Sequence, residues 1–551
     1  MPNGHEPTSR RDVSLTSLTV TRRSWLLGTF AASLYLLLAC LAFWPVAPLD
    51  GSHIVGCACS DRAQEVWFLN WTAFAVLHGH NPFFTDYLMT PKGSNLAINT
   101  SMPFLGLLGL PVTATAGAVA TYNLLLRLAF AVSGLSMYLL LRRYSTWWPA
   151  ALTGGLLYGF SPYMIGQSHA HLFLTFVPIP PLVVAVVDDW LVANRRPAGR
   201  SGVLLGVAAG LQYLISPEVL AMTAIAVGAG VVAICLRHRQ MARERLPSFL
   251  LGSTVALGVF ALLAGYPIWM LLAGPRHVIG PPHSVHSLAA YADNAVAPIV
   301  PTSNQLVNPP GSAQLTKAAL LHDPTESGVY LGAPLLLVIV VFFIRFRRID
   351  IVVAAGAAGA GAFLLSLGAR LELARRVLGV PLPFALVTHL PLLQSIEPAR
   401  FSLFVQLSAA LVLGLAVLVL LPLLPRLPYQ PVRTGTPGFF ASLAAEVIPS
   451  GAVALTYPWS ARPNDDAMFW QIASGMRFKL LGGDVFVPGE HGISVGYVRP
   501  PGSTAVQHLL LEGTKKGHDI AYRFTRGLHS WRTWRDKFPS EMIWSSRDFH
   551  C

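Results

Sequence analysis

The chain has 551 residues, of which 53% are hydrophobic and only 12% charged, with a mean hydropathy of +0.53. Soluble globular chains carry about 25% charged residues, so this composition excludes a soluble enzyme and points to a polytopic membrane protein. The formal net charge of +13 is not a nucleic-acid signature, because the basic residues fall in short clusters between apolar runs, where they act as topological signals.

Segment 1–23 is polar and ends on Arg22 and Arg23, and the uncharged run Ser24–Trp44 follows it. A secretory signal has an apolar core of about 7–15 residues, whereas a span needs about 20. Ser24–Trp44 is therefore predicted to be an uncleaved first span with a cytoplasmic amino terminus.

The loop 48–103 interrupts the apolar chain with Asp61, Arg62 and Glu65, followed by Trp67, Phe68 and Trp71. Asp61 and Glu65 are four residues apart and share one face of a helix, and the aromatic residues favour a membrane interface. A carboxylate held there serves as a general base toward a hydroxyl, with partial burial raising its pKa. The alternative is an ordinary solvated acidic pair beside Arg62. Cys57 and Cys59 are too close in sequence for an easy disulfide, and with His53 they make an incomplete metal set. They read as small packing residues.

The next spans are predicted at Leu128–Leu141, Trp147–Ile165, Ala170–Val187, Gly202–Ser216, Val219–Leu236, Pro247–Gly274, Val329–Ile344, Ile351–Ala369 and Phe401–Leu424. Phe104–Val119, flanked and broken by Pro103 and Pro111, reads as a re-entrant or surface helix. Only if it does not cross do four arginine clusters share the side of the amino terminus: Arg142/Arg143, Arg195/Arg196/Arg200, Arg237/Arg239/Arg243/Arg245 and Arg345/Arg347/Arg348. The loops Cys57–Asn99, His277–Asp323 and Arg370–Pro398 are then extracytoplasmic.

The membrane region is predicted over 24–425, the stiff Pro-rich linker over 426–433, and a small α/β domain over 434–522. In that domain Val453–Tyr457 is strand-like, Asp466–Met476 is helix-like, and Gly482-Gly-Asp and Pro488-Gly-Glu are turn signals. Segment 523–551 is rich in Arg and Trp without periodicity and looks foreign to the domain.

A resemblance emerges from the motif order. After the acidic, Trp-rich helix come Gly79-His-Asn-Pro-Phe83, Pro91-Lys-Gly-Ser-Asn-Leu96 and Asn99-Thr-Ser-Met-Pro103. Later come Gly159-Phe-Ser-Pro-Tyr-Met-Ile-Gly-Gln167, Glu326-Ser-Gly-Val-Tyr-Leu-Gly332 and Glu397-Pro-Ala-Arg-Phe401. Over roughly Ser24 to Phe401 this resembles bacterial, actinobacterial-type membrane proteins of the GT-C glycosyltransferase superfamily, and Ala467–Met476 is similar to a carboxy-terminal domain of such proteins. The resemblance implies an all-α polytopic bundle of about 10–11 helices with a small carboxy-terminal α/β domain. It implies inverting transfer of a sugar from a polyprenyl-phosphate carrier to an envelope glycan, lipid or protein at the outer face of the plasma membrane, among membrane lipids and without nucleic acid.

It further implies that Asp61 is the catalytic base and Glu65 a helper or metal-binding residue; the sequence points to no particular cofactor and leaves a divalent cation open. Arg400 and Arg127 suit the leaving phosphate, with a topological anchor and a snorkelling side chain as their alternatives. His169, His171, Glu218 and Glu326 are further candidates for substrate contact. His277, His283 and His286 in a Pro-rich loop are weak zinc candidates, and His322 and Asp323 read equally as a solvated helix start.

Such relatives carry two spans between the Glu-Pro-Ala-Arg motif and the linker, whereas Phe401–Leu424 has length for one. Ten spans put the last domain in the cytoplasm, unless Phe401–Leu424 is bent or Val380–Leu393 crosses. The alternatives to a transferase are a transporter or flippase for a lipid-linked precursor, which would show internal repeats and midplane charges, or a non-catalytic scaffold.

Overall fold

A computed structural model describes residues 22–55, 61–280, 291–302, 304–306, 326, 328–374, 376–390, 393, 396–413, 432–433, 436–442, 447–456, 460, 466–488, 494–495 and 544–546. The amino-terminal tail, Cys57, Cys59, His283, His286, His322, Asp323, most of the Pro-rich linker and most of 496–551 lie outside these residues.

The protein is a multi-pass, mostly helical membrane bundle. Six helical stretches among the described residues are long and apolar enough to cross a bilayer, and Ala333–Phe346, Asp350–Ser366 and Pro398–Val412 are shorter apolar helices. The first is α1 (Arg22–Ala42), followed by the two-residue strand β1 (His53–Ile54) and the loop helix α2 (Asp61–His78). α2 is buried along most of its length, with Trp67 and Trp71 stacked at 5.5 Å. Each such ring removes enough apolar surface from water to contribute about 1.5–3 kcal/mol, which fixes an otherwise polar loop.

The rest of that loop is tied down by its own asparagines. The strands β2 (Phe84–Thr85) and β3 (Ser94–Asn95) pair antiparallel around a turn in which Gly93 has φ +73°, and a Cβ there would meet the Thr85 carbonyl at 2.6 Å. Asn95 caps the 3-10 turn Leu96–Asn99 and donates to the carbonyls of Met270 (2.6 Å) and Pro275 (3.0 Å). These bonds anchor the first loop to one end of the bundle.

Helix α3 (Pro103–Leu141) is broken at Gly117, whose φ of +87° and ψ of 166° are not helical. Its first part folds back on its second: Gly109 abuts Thr121, and the Thr113 and Thr121 hydroxyls are 2.9 Å apart. Met102 and Pro103 lie beside Ile215 and Pro217, while the Ala116 carbonyl lies beside Gly51. Both ends of this first part therefore sit at the loop end of the bundle, and Phe104–Val119 does not cross.

α4 (Trp148–Gly159) is shorter than the predicted span, and the chain then breaks into α5 (Pro162–Gln167) and α6 (Leu172–Thr175) before α7 (Ile179–Val187) with a π-turn at Asp188–Val192. Ser161 caps α5, and Pro162, Pro178, Pro180 and Pro181 interrupt what hydropathy alone reads as two continuous spans, Trp147–Ile165 and Ala170–Val187. α8 (Ala198–Ile215), α9 (Pro217–Arg237), α10 (Arg239–Ala273), α11 (Ala333–Phe346) and α12 (Asp350–Ser366) follow. The arginine clusters gather at the end opposite the first loop: Arg143, Arg195 and Arg196 meet Asp189, and Arg237 meets Asp350 and the carbonyls of Arg347 and Arg348.

Between α12 and α14 (Ser402–Leu413) the chain forms a hairpin of β4 (Arg370–Leu373) and β5 (Arg376–Pro381), the short helix α13 (Phe384–Val387) and the 3-10 turn Pro398–Phe401. The described part of Val380–Leu393 is thus strand end and short helix, not a span. By β6 (Val432–Arg433) the chain has returned to pair with β1 in the first loop. The last domain therefore sits with that loop, against the count of ten spans that puts it at the arginine end. There β7 (Ala452–Leu455), α15 (Asp466–Ala473) and β8 (Phe478–Leu480) form a β-α-β unit with β7 and β8 parallel. Trp544–Ser546, in the segment read as foreign, adds an antiparallel strand to β7.

Candidate functional site

Buried charge concentrates at the loop end, where α2, the α5–α6 turn, the start of α9, the Glu326 segment and the Pro398–Phe401 turn meet. Asp61 opens α2, where the helix dipole favours a carboxylate. One turn later Glu65 is 2% exposed. Each holds one of two adjacent residues. Asp61 Oδ2 lies 3.2 Å from His171 Nε2, and Glu65 Oε2 accepts the Leu172 N–H at 2.8 Å.

The far side of the His171 ring is held by Gln167 from α5. His171 Nδ1 is 2.8 Å from Gln167 Oε1, and Gln167 Nε2 donates to Glu326 Oε2 at 2.8 Å. A carboxylate only accepts, so the amide must turn its nitrogen to Glu326 and its oxygen to His171. That polarity places a hydrogen on His171 Nδ1. Nε2 then meets Asp61 productively when one proton lies between the two groups.

Arg400 is 11% exposed at its side chain and surrounded by acids. Its Nη1 donates to Glu218 Oε2 at 2.6 Å, its Nη2 lies 2.9 Å from Glu397 Oε2, and its Nε is 4.0 Å from Glu326 Oε2. Glu218 also accepts the Glu397 N–H at 3.1 Å. Ser216 caps α9 and Pro217 occupies its first turn, which sets Glu218 facing Arg400. Gln406 donates to the carbonyls of Gly328 (2.9 Å) and Tyr330 (3.0 Å), pinning the chain beyond Glu326.

The electrostatics follow from burial. Desolvation raises the Glu65 carboxyl to about 8, against the opposing pull of His171, the Leu172 N–H and Arg400. Desolvation likewise raises Glu397 to about 7, opposed by Arg400 and reinforced by Glu326 and Glu218. Burial also pushes the Tyr163 phenol well up. Arg400 stays charged because Glu218, Glu397 and Glu326 outweigh its desolvation.

Of the residues singled out in the sequence, Asp61, Glu65, His171, Glu218, Glu326 and Arg400 come together here. Arg127 does not: its guanidinium donates to the carbonyls of Asn123 (2.7 Å), Phe43 (3.0 Å) and Val46, and lies 5.6 Å over the Phe43 ring. It closes the carboxy-terminal end of α1. His169 turns to its own chain, with Nδ1 3.0 Å from the Gly166 carbonyl. His277 does the same with Gly274. Gln167, Glu397 and Tyr163 were not singled out, although each lies inside a quoted motif; pairing between distant motifs is invisible in one sequence. Among the described residues no group of three or more His, Cys, Asp or Glu side chains is arranged to hold a metal ion.

A family model described as a domain of unknown function, DUF6311, matches residues 33–426, and the chain belongs to that family. No curated protein matches the sequence. The structure is similar to the cryo-EM structure of the arabinofuranosyltransferase AftD from Mycobacteria, with a TM-score of 0.50 and 15% identity over 96% of this chain and 40% of that one. This likeness gives the fold as GT-C type. The chain spans well under half the length of AftD. The Archaeoglobus fulgidus oligosaccharyltransferase in the apo form matches at a TM-score of 0.35 and 15% identity, over 70% of this chain and 50% of that one. The oligosaccharyltransferase AglB of the same organism, in complex with an inhibitory peptide and a dolichol-phosphate, matches at 0.35 and 13%, over 71% and 50%. These two are too distant to weigh on the fold.

Proposed function

We propose that this DUF6311 family member is a membrane glycosyltransferase that moves a sugar from a polyprenyl-phosphate carrier to an envelope glycan, lipid or protein. The observation that carries this is the meeting of Asp61 on the first loop with His171, which Gln167 and Glu326 hold from behind. Asp61 takes the proton of an acceptor hydroxyl as its oxygen attacks the anomeric carbon, and the bond to the lipid phosphate breaks with inversion. Arg400 holds the carboxylates beside the reacting sugar, and its fixed positive charge offsets the negative charge that develops on the leaving phosphate. Carboxylates in excess of cations suit a sugar, whose hydroxyls donate to them.

Positive-inside topology puts the arginine end in the cytoplasm with the amino terminus, and the carboxylate cluster and last domain on the outer face of the plasma membrane. The test is transfer of labelled sugar from polyprenyl-phosphate donors to envelope extract by wild type and by Asp61→Asn. Transfer lost in the variant supports the reading. A folded wild type that transfers from no donor overturns it.

A further inference from the structure

A cavity of about 330 Å3 lies inside the bundle toward the arginine end, walled by α7, α9, α10, α12 and α14. Its lining is apolar, with Val184, Val231, Phe249, Ile351 and Leu407 facing it. It is separate from the carboxylate cluster: Glu218 opens α9, whereas the cavity is lined by Ala226 to Cys235 of that helix. Leu246 and Phe249 line it and are themselves 52% and 42% exposed, so the space is continuous with the lipid-facing surface of α10. An apolar cavity of about 150 Å3 takes up benzene. One about twice that size, opening onto hydrocarbon, accommodates a stretch of alkyl chain.

Charge at the rim decides which lipid. The charged lining residues are Asp188, Asp350 and Arg245. Asp350 is matched by Arg237 at 3.1 Å and His238 at 2.9 Å. Asp188 lies against the Tyr144 hydroxyl, Arg143 and Arg195. Arg245 pairs with no side chain among the described residues, and Arg239 and Arg243 stand exposed on the same helix. The uncompensated charge at the rim is therefore positive.

We propose that this cavity binds one acyl chain of an anionic phospholipid whose phosphate rests on Arg245. The lipid wedges α10 against α9 and α12 at the end of the bundle away from the carboxylates, and the site is independent of the transferase reading. Arg245 adds an attraction for anionic lipid, so reversing its charge should weaken retention by about tenfold.

The experiment is native mass spectrometry of the full-length protein in detergent, titrated with dimyristoyl phosphatidylglycerol or dimyristoyl phosphatidylcholine. Expected is one tightly retained phosphatidylglycerol in the wild type, reduced about tenfold in Arg245→Glu and abolished in Val231→Trp, which fills the cavity. Arg245→Glu changes a rim residue, so its folding is checked by size exclusion and thermal unfolding. Equal retention of the two lipids, or retention indifferent to both substitutions, overturns the proposal. So does preferential retention of a polyprenyl phosphate over phosphatidylglycerol.

Discussion

Asp61 and His171, 110 residues apart in sequence, are brought to 3.2 Å by the broken chain between α4 and α7. The contact depends on a helix break that hydropathy alone conceals. Asp61→Asn keeps the shape and loses the base. Transfer should fall roughly a hundredfold or more, while the thermal unfolding midpoint in detergent stays near that of the wild type. A variant with undiminished transfer removes Asp61 from the chemistry.

Gln167 is 1% exposed and satisfies two partners at once. Gln167→Leu takes the amide donor from Glu326 Oε2 and leaves the His171 Nδ1–H only Glu326 Oε1 at 3.5 Å, and an unmet buried polar group costs about 1–3 kcal/mol. Gln167→Glu places a further carboxylate against Glu326. Both variants should unfold at lower denaturant than wild type, with Leu the milder because Glu sets a second buried carboxylate against Glu326. Chemical denaturation followed by tryptophan fluorescence reads the order.

Glu65 and Glu397 give the fold a pH dependence of definite sign. Their folded pKa values, about 8 and about 7, lie above the ordinary 4.5 of a glutamate. Between these values the folded state binds more protons than the unfolded one, so stability falls as pH rises. Their contribution is fully present below about 4.5 and is lost as pH passes through 7 and then 8. Glu65→Gln, which stays neutral, should flatten the fall in thermal midpoint between pH 6 and pH 9. A profile identical to wild type would mean that Glu65 does not titrate there.

The position of the α5–α6 segment rests on close helix packing behind it. A Cβ at Gly159 would meet the Cα and N of Gly134 at 2.8 Å and the Phe130 carbonyl at 2.9 Å, all backbone atoms that cannot rotate away. Small residues let α3 and α4 approach this closely. Gly159→Ala should cost about 1–3 kcal/mol and reduce transfer by displacing His171, whereas Gly228→Ala, with open space at its Cβ, should do neither. Thermal unfolding and a transfer assay on the pair separate packing from a general intolerance of substitution.

How much of this was legible differs by level. Spans and arginine clusters were readable because hydrophobic length and charge are local properties, and the non-crossing of Phe104–Val119 followed from charge parity. The break at Pro162–Pro181 was written in the prolines but masked by their apolar neighbours. Asp61 and Glu65 stood out by helical spacing, and Arg400 by charge at a membrane boundary. Gln167 and Glu397 did not, since a neutral amide carries no charge signal and an acid in a loop looks solvated. Arg127 looked like a phosphate ligand because its partners are backbone carbonyls, which leave no trace in side-chain identity.

The placement of the last domain with the first loop also makes a prediction. Trp67 donates from Nε1 to Gln471 Oε1 at 2.6 Å, and the same amide donates to the carbonyls of Tyr87 (3.0 Å) and Phe478 (2.6 Å). One buried side chain thus joins α2, the loop after it and β8, while Lys479 reaches Asp86 alongside. Gln471→Leu removes three hydrogen bonds and strands the buried Trp67 N–H, although the Tyr87 carbonyl keeps the Leu480 N–H at 2.8 Å, and an unmet buried group costs about 1–3 kcal/mol. Because α2 carries Asp61, loosening this contact should both expose the 452–488 region to limited proteolysis and lower transfer. Gln471→Glu retains an acceptor for Trp67 and should protect less well than wild type but better than Leu. If proteolysis and transfer are both unchanged in Gln471→Leu, the domain is attached by its other contacts and α2 is held by the bundle alone.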